Sequence, residues 1–258
     1  MDNIISKLLI YGDMPQDSIL MQLGGICREL RQLHTHSEEE QIAIKNRLRT
    51  DVYRQVKRLL EVATDYGFDK NLWHNYLAFL LITNENPFSI TCEKVGANDG
   101  SVNYFAQNDF AAYKELFDYD FSDIERELDV DCFSRLSDYK AIGKKELMYN
   151  KNVSEKVQAL SSRMEQARDV EGFFTAVTEF YRDYGVGMFG LNKAFRIEHG
   201  RDGRPVIAPI TRIAHVNLDD LVGYELPKQK LIENTEAFVK GRKANNCLLF
   251  GDAGTGKS

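Results

Sequence analysis

The sequence predicts a mostly α-helical N-terminal domain over residues 1–185, then a connector with a short β-hairpin over 186–216. The first elements of an α/β phosphate-binding domain follow over 217–258, truncated at the phosphate loop. Three observations carry this reading. Apolar residues recur at three- and four-residue spacing through the first two-thirds of the chain. After Tyr184 the texture changes to glycine and two-residue alternation. The stretch from Gly251 to Ser258 reads G-x-x-x-x-G-K-S behind a short apolar run.

About five to seven helices are expected. Ser37 and Glu40 form a capping box, and Ile44, Leu48, Val52, Val56, Leu59 and Ala63 then mark one face of a long helix ending at Gly67. Leu72, Tyr76, Phe79, Leu80 and Thr83 predict a second, mostly buried helix that cannot run through Pro87. Ser122 with Glu125 opens another. Ser154 opens one carrying Val157, Leu160, Met164 and Ala167, and Phe173, Val177, Phe180, Tyr181 and Tyr184 mark an aromatic-rich one. That aromatic stripe lacks interleaved basic residues, so it is read as core and not as a base-stacking surface.

Gly185, Gly187 and Gly190 in "YGVGMFG" break the last of these helices and permit a close backbone turn. Phe195, Ile197 and His199 alternate, a turn through Gly200 to Gly203 follows, and Val206 and Ile207 resume, as in a hairpin. Pro227 fits the first turn of a later helix with Leu231, Thr235 and Phe238 on one face and Gly241 as its stop. Cys247 to Phe250 is expected to be a short buried strand feeding the glycine-rich loop.

The composition is that of an ordinary globular protein, 43% hydrophobic and 28% charged over 258 residues. The longest apolar run, Tyr76 to Ile82, falls far short of the roughly 18 residues of a membrane span. Cys27, Cys92, Cys132 and Cys247 are scattered, without a C-x-x-C pair, and read as reduced thiols of a cytoplasmic protein. Neither the histidines nor the carboxylates form a metal-ligand or acid/base arrangement. Net charge is −6, unevenly spread: residues 45–58 carry six basic residues against Asp51, and residues 109–131 carry nine acidic ones against Lys114 and Arg126. These stretches read as solvated helix faces or as a protein-contact surface. The acidic surroundings and the lack of a recognition motif argue against nucleic acid.

The chemistry is concentrated at the C-terminal end. In a loop of this pattern, Gly251, Asp252, Ala253, Gly254, Thr255 and Gly256 turn consecutive backbone N–H groups toward a triphosphate, and a following helix adds its positive end. Lys257 reaches the β- and γ-phosphates, and the Ser258 hydroxyl is the expected Mg²⁺ ligand. Because that helix would begin at the final residues, the chain is read as a fragment ending inside a domain.

The lead-in "LDDLVGYELPKQKLIENTEAFVKG" resembles the segment before the phosphate loop of AAA+ ATPases. The run from Phe173 to Ser258 resembles an uncharacterised bacterial family of AAA+ ATP-binding proteins filed as a domain of unknown function. The resemblance implies that Val222 and Gly223 contact adenine within a Val-Gly-x-Glu turn closed by Glu225, and that ATP and Mg²⁺ are the cofactors. It implies ATPase activity for a full-length protein, none for this fragment, and a homo-oligomer by analogy. Asp252 and Ala253 stand where the commoner loop carries two prolines. The helical region is expected to recognise a protein partner or substrate. Two alternatives stay open: an interaction module governed by a nucleotide switch, and a nucleic-acid-binding ATPase.

Overall fold

A computed structural model describes residues 1–98, 100–142, 150–200, 203–210 and 218–251, in two compact units, Met1–Arg212 and Ile213–Ser258. The described residues of the first unit form eleven α-helices and one hairpin: α1 (Asp2–Ile5), α2 (Ile19–Gln32), α3 (Glu38–Tyr66), α4 (Leu72–Thr83), α5 (Pro87–Val95), α6 (Ser101–Phe117), α7 (Ser122–Leu128), α8 (Cys132–Leu136), α9 (Lys151–Gln166), α10 (Val170–Tyr184), α11 (Gly187–Leu191), then β1 (Phe195–His199) and β2 (Pro205–Pro209). This exceeds the expected number of helices. Pro87 ends α4, as foreseen, but also opens α5, because a proline at the first helical position forfeits no hydrogen bond. Asn86 caps that helix by accepting from the N–H groups of Phe88 and Ser89.

The long helix α3 forms as the sequence predicts. Ser37 and Glu40 close the capping box, and Gly67 ends the helix in the left-handed conformation at φ 66°. Leu48, Val52, Val56, Leu59 and Ala63 are buried along one face. Helix α4 is central, packing against α3, α6, α9 and α11, with Leu77, Ala78, Leu81 and Ile82 out of contact with solvent. The aromatic stripe of α10 is core: Phe173, Val177, Phe180 and Tyr181 are buried, and the Phe174 ring lies 5.7 Å from that of Phe110.

Two helix starts differ from expectation. Ser122 is the first helical residue of α7 and not its cap, since Asp120 accepts from both its N–H and its hydroxyl at 2.9 Å. Glu125 instead accepts from the Ser134 N–H at 2.8 Å. Helix α9 starts at Lys151 under an Asn150 cap, and Ser154 lies buried inside it, donating to the Gly67 carbonyl at 3.1 Å.

The basic and acidic stretches meet only in part. Lys45 pairs with Glu127 at 2.9 Å, and Arg49 donates to the Leu128 carbonyl at 2.7 Å. Arg47 turns to Glu29, Arg54 to Asp51, and Arg58 to the Asp17 carbonyl. Asp109 is not a surface charge at all. It is fully buried and accepts from the N–H groups of Leu9, Ile10 and Tyr11 at 2.9, 2.7 and 2.9 Å. The Tyr11 hydroxyl continues inward to Tyr181 at 2.9 Å, and Tyr181 donates to the Leu81 carbonyl at 2.8 Å. The N-terminal segment is thereby anchored to α4, α6 and α10.

His74 lies flat on Phe117, ring centroids 3.7 Å apart, with Nε2 3.0 Å from the Phe117 carbonyl. Its buried Nδ1 has no hydrogen-bond partner among the described residues, and Glu165 stands 3.9 Å away. Burial lowers the imidazole pKa below its usual 6.5, against a smaller opposing pull from Glu165. The fold therefore favours the neutral ring. The resulting stabilisation is present above the unfolded-state value and is lost as pH falls through the lower folded-state one. Denaturant titrations from about pH 7 to about pH 5 should show wild-type stability falling toward that of His74→Leu. Parallel profiles would contradict this.

The hairpin forms as predicted, with β1 antiparallel to β2 and Ile197 opposite Ile207. In the second unit, α12 (Glu225–Val239) forms and Gly241 follows it at φ 65°. None of its residues is buried. The expected strand from Cys247 to Phe250 is absent: residues 242–250 take no regular structure, and Leu248 and Phe250 are 84% and 88% exposed. A strand exists only through ladder bonds to a neighbour, and no described residue supplies one here.

Candidate functional site

The described part of the candidate site lies in the second unit, at the start of α12. Leu218–Asp220 form one 3₁₀ turn, and the chain then passes through Val222, Gly223 and Tyr224 into Glu225, the first helical residue. Gly223 takes φ 86° and Tyr224 takes φ 60°, so two successive left-handed residues reverse the chain just before the helix. Glycine adopts that conformation at little cost. Lys228 holds the turn from within the helix, donating to the Leu221 carbonyl at 2.9 Å while pairing with Glu225 at 2.9 Å. The result is a shallow cleft of about 390 Å³ between turn and helix, lined by Leu218, Asp219, Glu225, Lys228, Gln229 and Ile232.

Val222, in the turn, is 94% exposed and does not line this cleft. Val222, Gly223 and Glu225 are brought together in one turn. Gly251, at a positive φ of 153° and exposed, is the last described residue. The assignments to Asp252, Ala253, Gly254, Thr255, Gly256, Lys257 and Ser258 lie outside the described residues.

One link was not read from the sequence. Asn234, in the middle of α12, accepts from the Asn245 N–H at 2.9 Å and donates to the Asn245 carbonyl at 2.8 Å. It also donates to the Cys247 sulfur at 3.2 Å. This side chain ties the segment leading to Gly251 to α12, beside the backbone bond from the Arg242 N–H to the Ala237 carbonyl at 2.8 Å. An asparagine inside a helix, where its propensity is poor, was the available signal.

Among the described residues no helix is long and apolar enough to cross a membrane. All four cysteines are free thiols, Cys27 and Cys92 in the core. No curated protein and no solved structure matches the chain. The profile of a family described as "Protein of unknown function (DUF815)" matches residues 191–258, which take in the hairpin and the second unit.

Proposed function

We propose that the second unit is the entry to an AAA+ ATP-binding domain, and that the helical unit before it recognises a protein partner or substrate. The observation that carries the reading is the order of features along 218–258: a glycine-containing turn with a bare valine, a helix, an apolar run, then G-x-x-x-x-G-K-S. In this reading Val222 and Gly223 lie against adenine. The backbone of Gly251, Asp252, Ala253, Gly254, Thr255 and Gly256 cradles the phosphates, Lys257 neutralises them, and Ser258 ligates Mg²⁺. The exposed Leu248, Leu249 and Phe250 fit a strand whose neighbours belong to the rest of such a domain. The reading concerns binding, and no residue of this chain is assigned to hydrolysis.

Competition between nucleotides tests it. In a protein that carries this sequence with the motif's helix behind Ser258, ATP should displace a fluorescent ATP analogue at least about tenfold more effectively than GTP. Equal competition would point to a phosphate loop without adenine recognition.

A further inference from the structure

The strand β1 reads Phe195-Arg196-Ile197-Glu198-His199, with opposite charges placed symmetrically about an isoleucine. In the hairpin, Gly200 donates to Arg204 and Ile210 to Ala194, so the alternation of an antiparallel ladder makes Arg196 with Ala208, and Glu198 with Val206, the bonded pairs. The N–H and C=O groups of Phe195, Ile197 and His199 therefore face away from β2. Among the described residues nothing bonds to them. The outer edge of β2 is blunted instead: its outward positions are Pro205, Ile207 and Pro209, and the two prolines have no N–H to offer. The hairpin has one closed edge and one open edge. A two-stranded ribbon is marginal on its own, and Ile197, 71% exposed, lies on its apolar face with Ile207.

We propose that two copies of the chain pair through the outer edge of β1, antiparallel about Ile197, to form one four-stranded sheet. In that register Ile197 faces Ile197 of the second copy and exchanges both backbone bonds with it. Phe195 pairs with the second copy's His199, and Arg196 stands opposite its Glu198 on both sides of the two-fold axis. The register is specified by charge: moving it two residues either way keeps the backbone bonds but sets Arg196 against Arg196, or Glu198 against Glu198. Within one copy Arg196 and Glu198 already meet at 2.5 Å on the same face, so pairing extends an existing ion pair into a four-charge cluster.

Sedimentation equilibrium of the 258-residue chain tests this, at concentrations up to about 1 mM because a contact this small belongs to the transient class. Wild type should show a monomer–dimer equilibrium. Ile197→Pro should be monomeric with an unchanged melting temperature, since the N–H it removes faces away from β2. Arg196→Glu alone, or Glu198→Arg alone, should weaken association about tenfold, and the double exchange should restore it. A wild type that stays monomeric overturns the proposal, as does a dimer indifferent to Ile197→Pro or a double exchange no better than either single. A monomer whose hairpin edge instead takes a strand from another protein also overturns it.

Discussion

Replacing Asp109 with alanine is expected to remove about 3–5 kcal/mol of folding stability, the range for breaking a buried charged network. The carboxylate is enclosed, and residues 9–11 aim three successive N–H groups at it, so the chain supplies its own anion to an anion-binding turn. Alanine leaves those donors without an acceptor. Asparagine keeps one oxygen, which can take the place of the one bonded to Ile10 and Tyr11, and should lose less. Around this contact Lys7 pairs with Glu115 at 2.8 Å, and Asn108 donates to the Lys7 carbonyl at 3.2 Å. The whole N-terminal segment should therefore loosen, visible as faster amide exchange over residues 7–11 than over α4. A denaturant-measured loss below about 1 kcal/mol would contradict the assignment.

The second large effect is expected at Gly190. A Cβ there would lie 2.4 Å from the Gly185 carbonyl carbon, a backbone contact that no rotamer change relieves. Gly190→Ala should cost about 2–3 kcal/mol, in the upper range for overpacking. Gly187 approaches Glu85 even more closely, but the clash is with the end of a flexible side chain, so Gly187→Ala is strained mainly by its φ of 68°. Gly190→Ala should thus be the worse of the two by thermal melting. The contact matters because α11 packs against α4, α9 and α10 directly before the hairpin. Val186, at the head of that turn, donates to Glu93 at 3.1 Å, which fixes the chain on α5 as well.

What the sequence made legible was what local physics decides. The capping box at Ser37, the glycine after Tyr66 and an unbroken apolar face gave α3 its ends and its orientation. The hairpin was readable from alternation around Gly200 to Gly203. Helix α2 was not read from the sequence, and it carries Gly24 and Gly25 in its interior. In the fold, a Cβ at Gly24 would lie 2.7 Å from the end of Ile5, so the first of them is the price of close packing between α1 and α2. The burial of Asp109 in α6 was hidden because its stretch read as a solvated face, and its partner N–H groups lie about a hundred residues earlier. The strand expected at Cys247 to Phe250 failed for the opposite reason: its apolar pattern is local, whereas a strand needs neighbours.

At the candidate site the motif itself was legible, whereas the turn at Val222 and Gly223 was expected only from the family resemblance. The clasp of Lys228 on the turn and the hold of Asn234 on Asn245 were not legible, because each depends on a helix folding back over its own flanks.

The central claim is that Lys257 and its loop bind the phosphates of ATP, and equilibrium titration with Mg·ATP tests it most directly. It should be run on a protein in which this sequence continues through the helix that the motif calls for, beside its Lys257→Ala counterpart. The account predicts a loss of about 10- to 100-fold in affinity, the worth of a charged hydrogen bond to phosphate, with the melting temperature of the unliganded protein unchanged. Equal affinity in the two proteins, or no ATP binding in either, would contradict it.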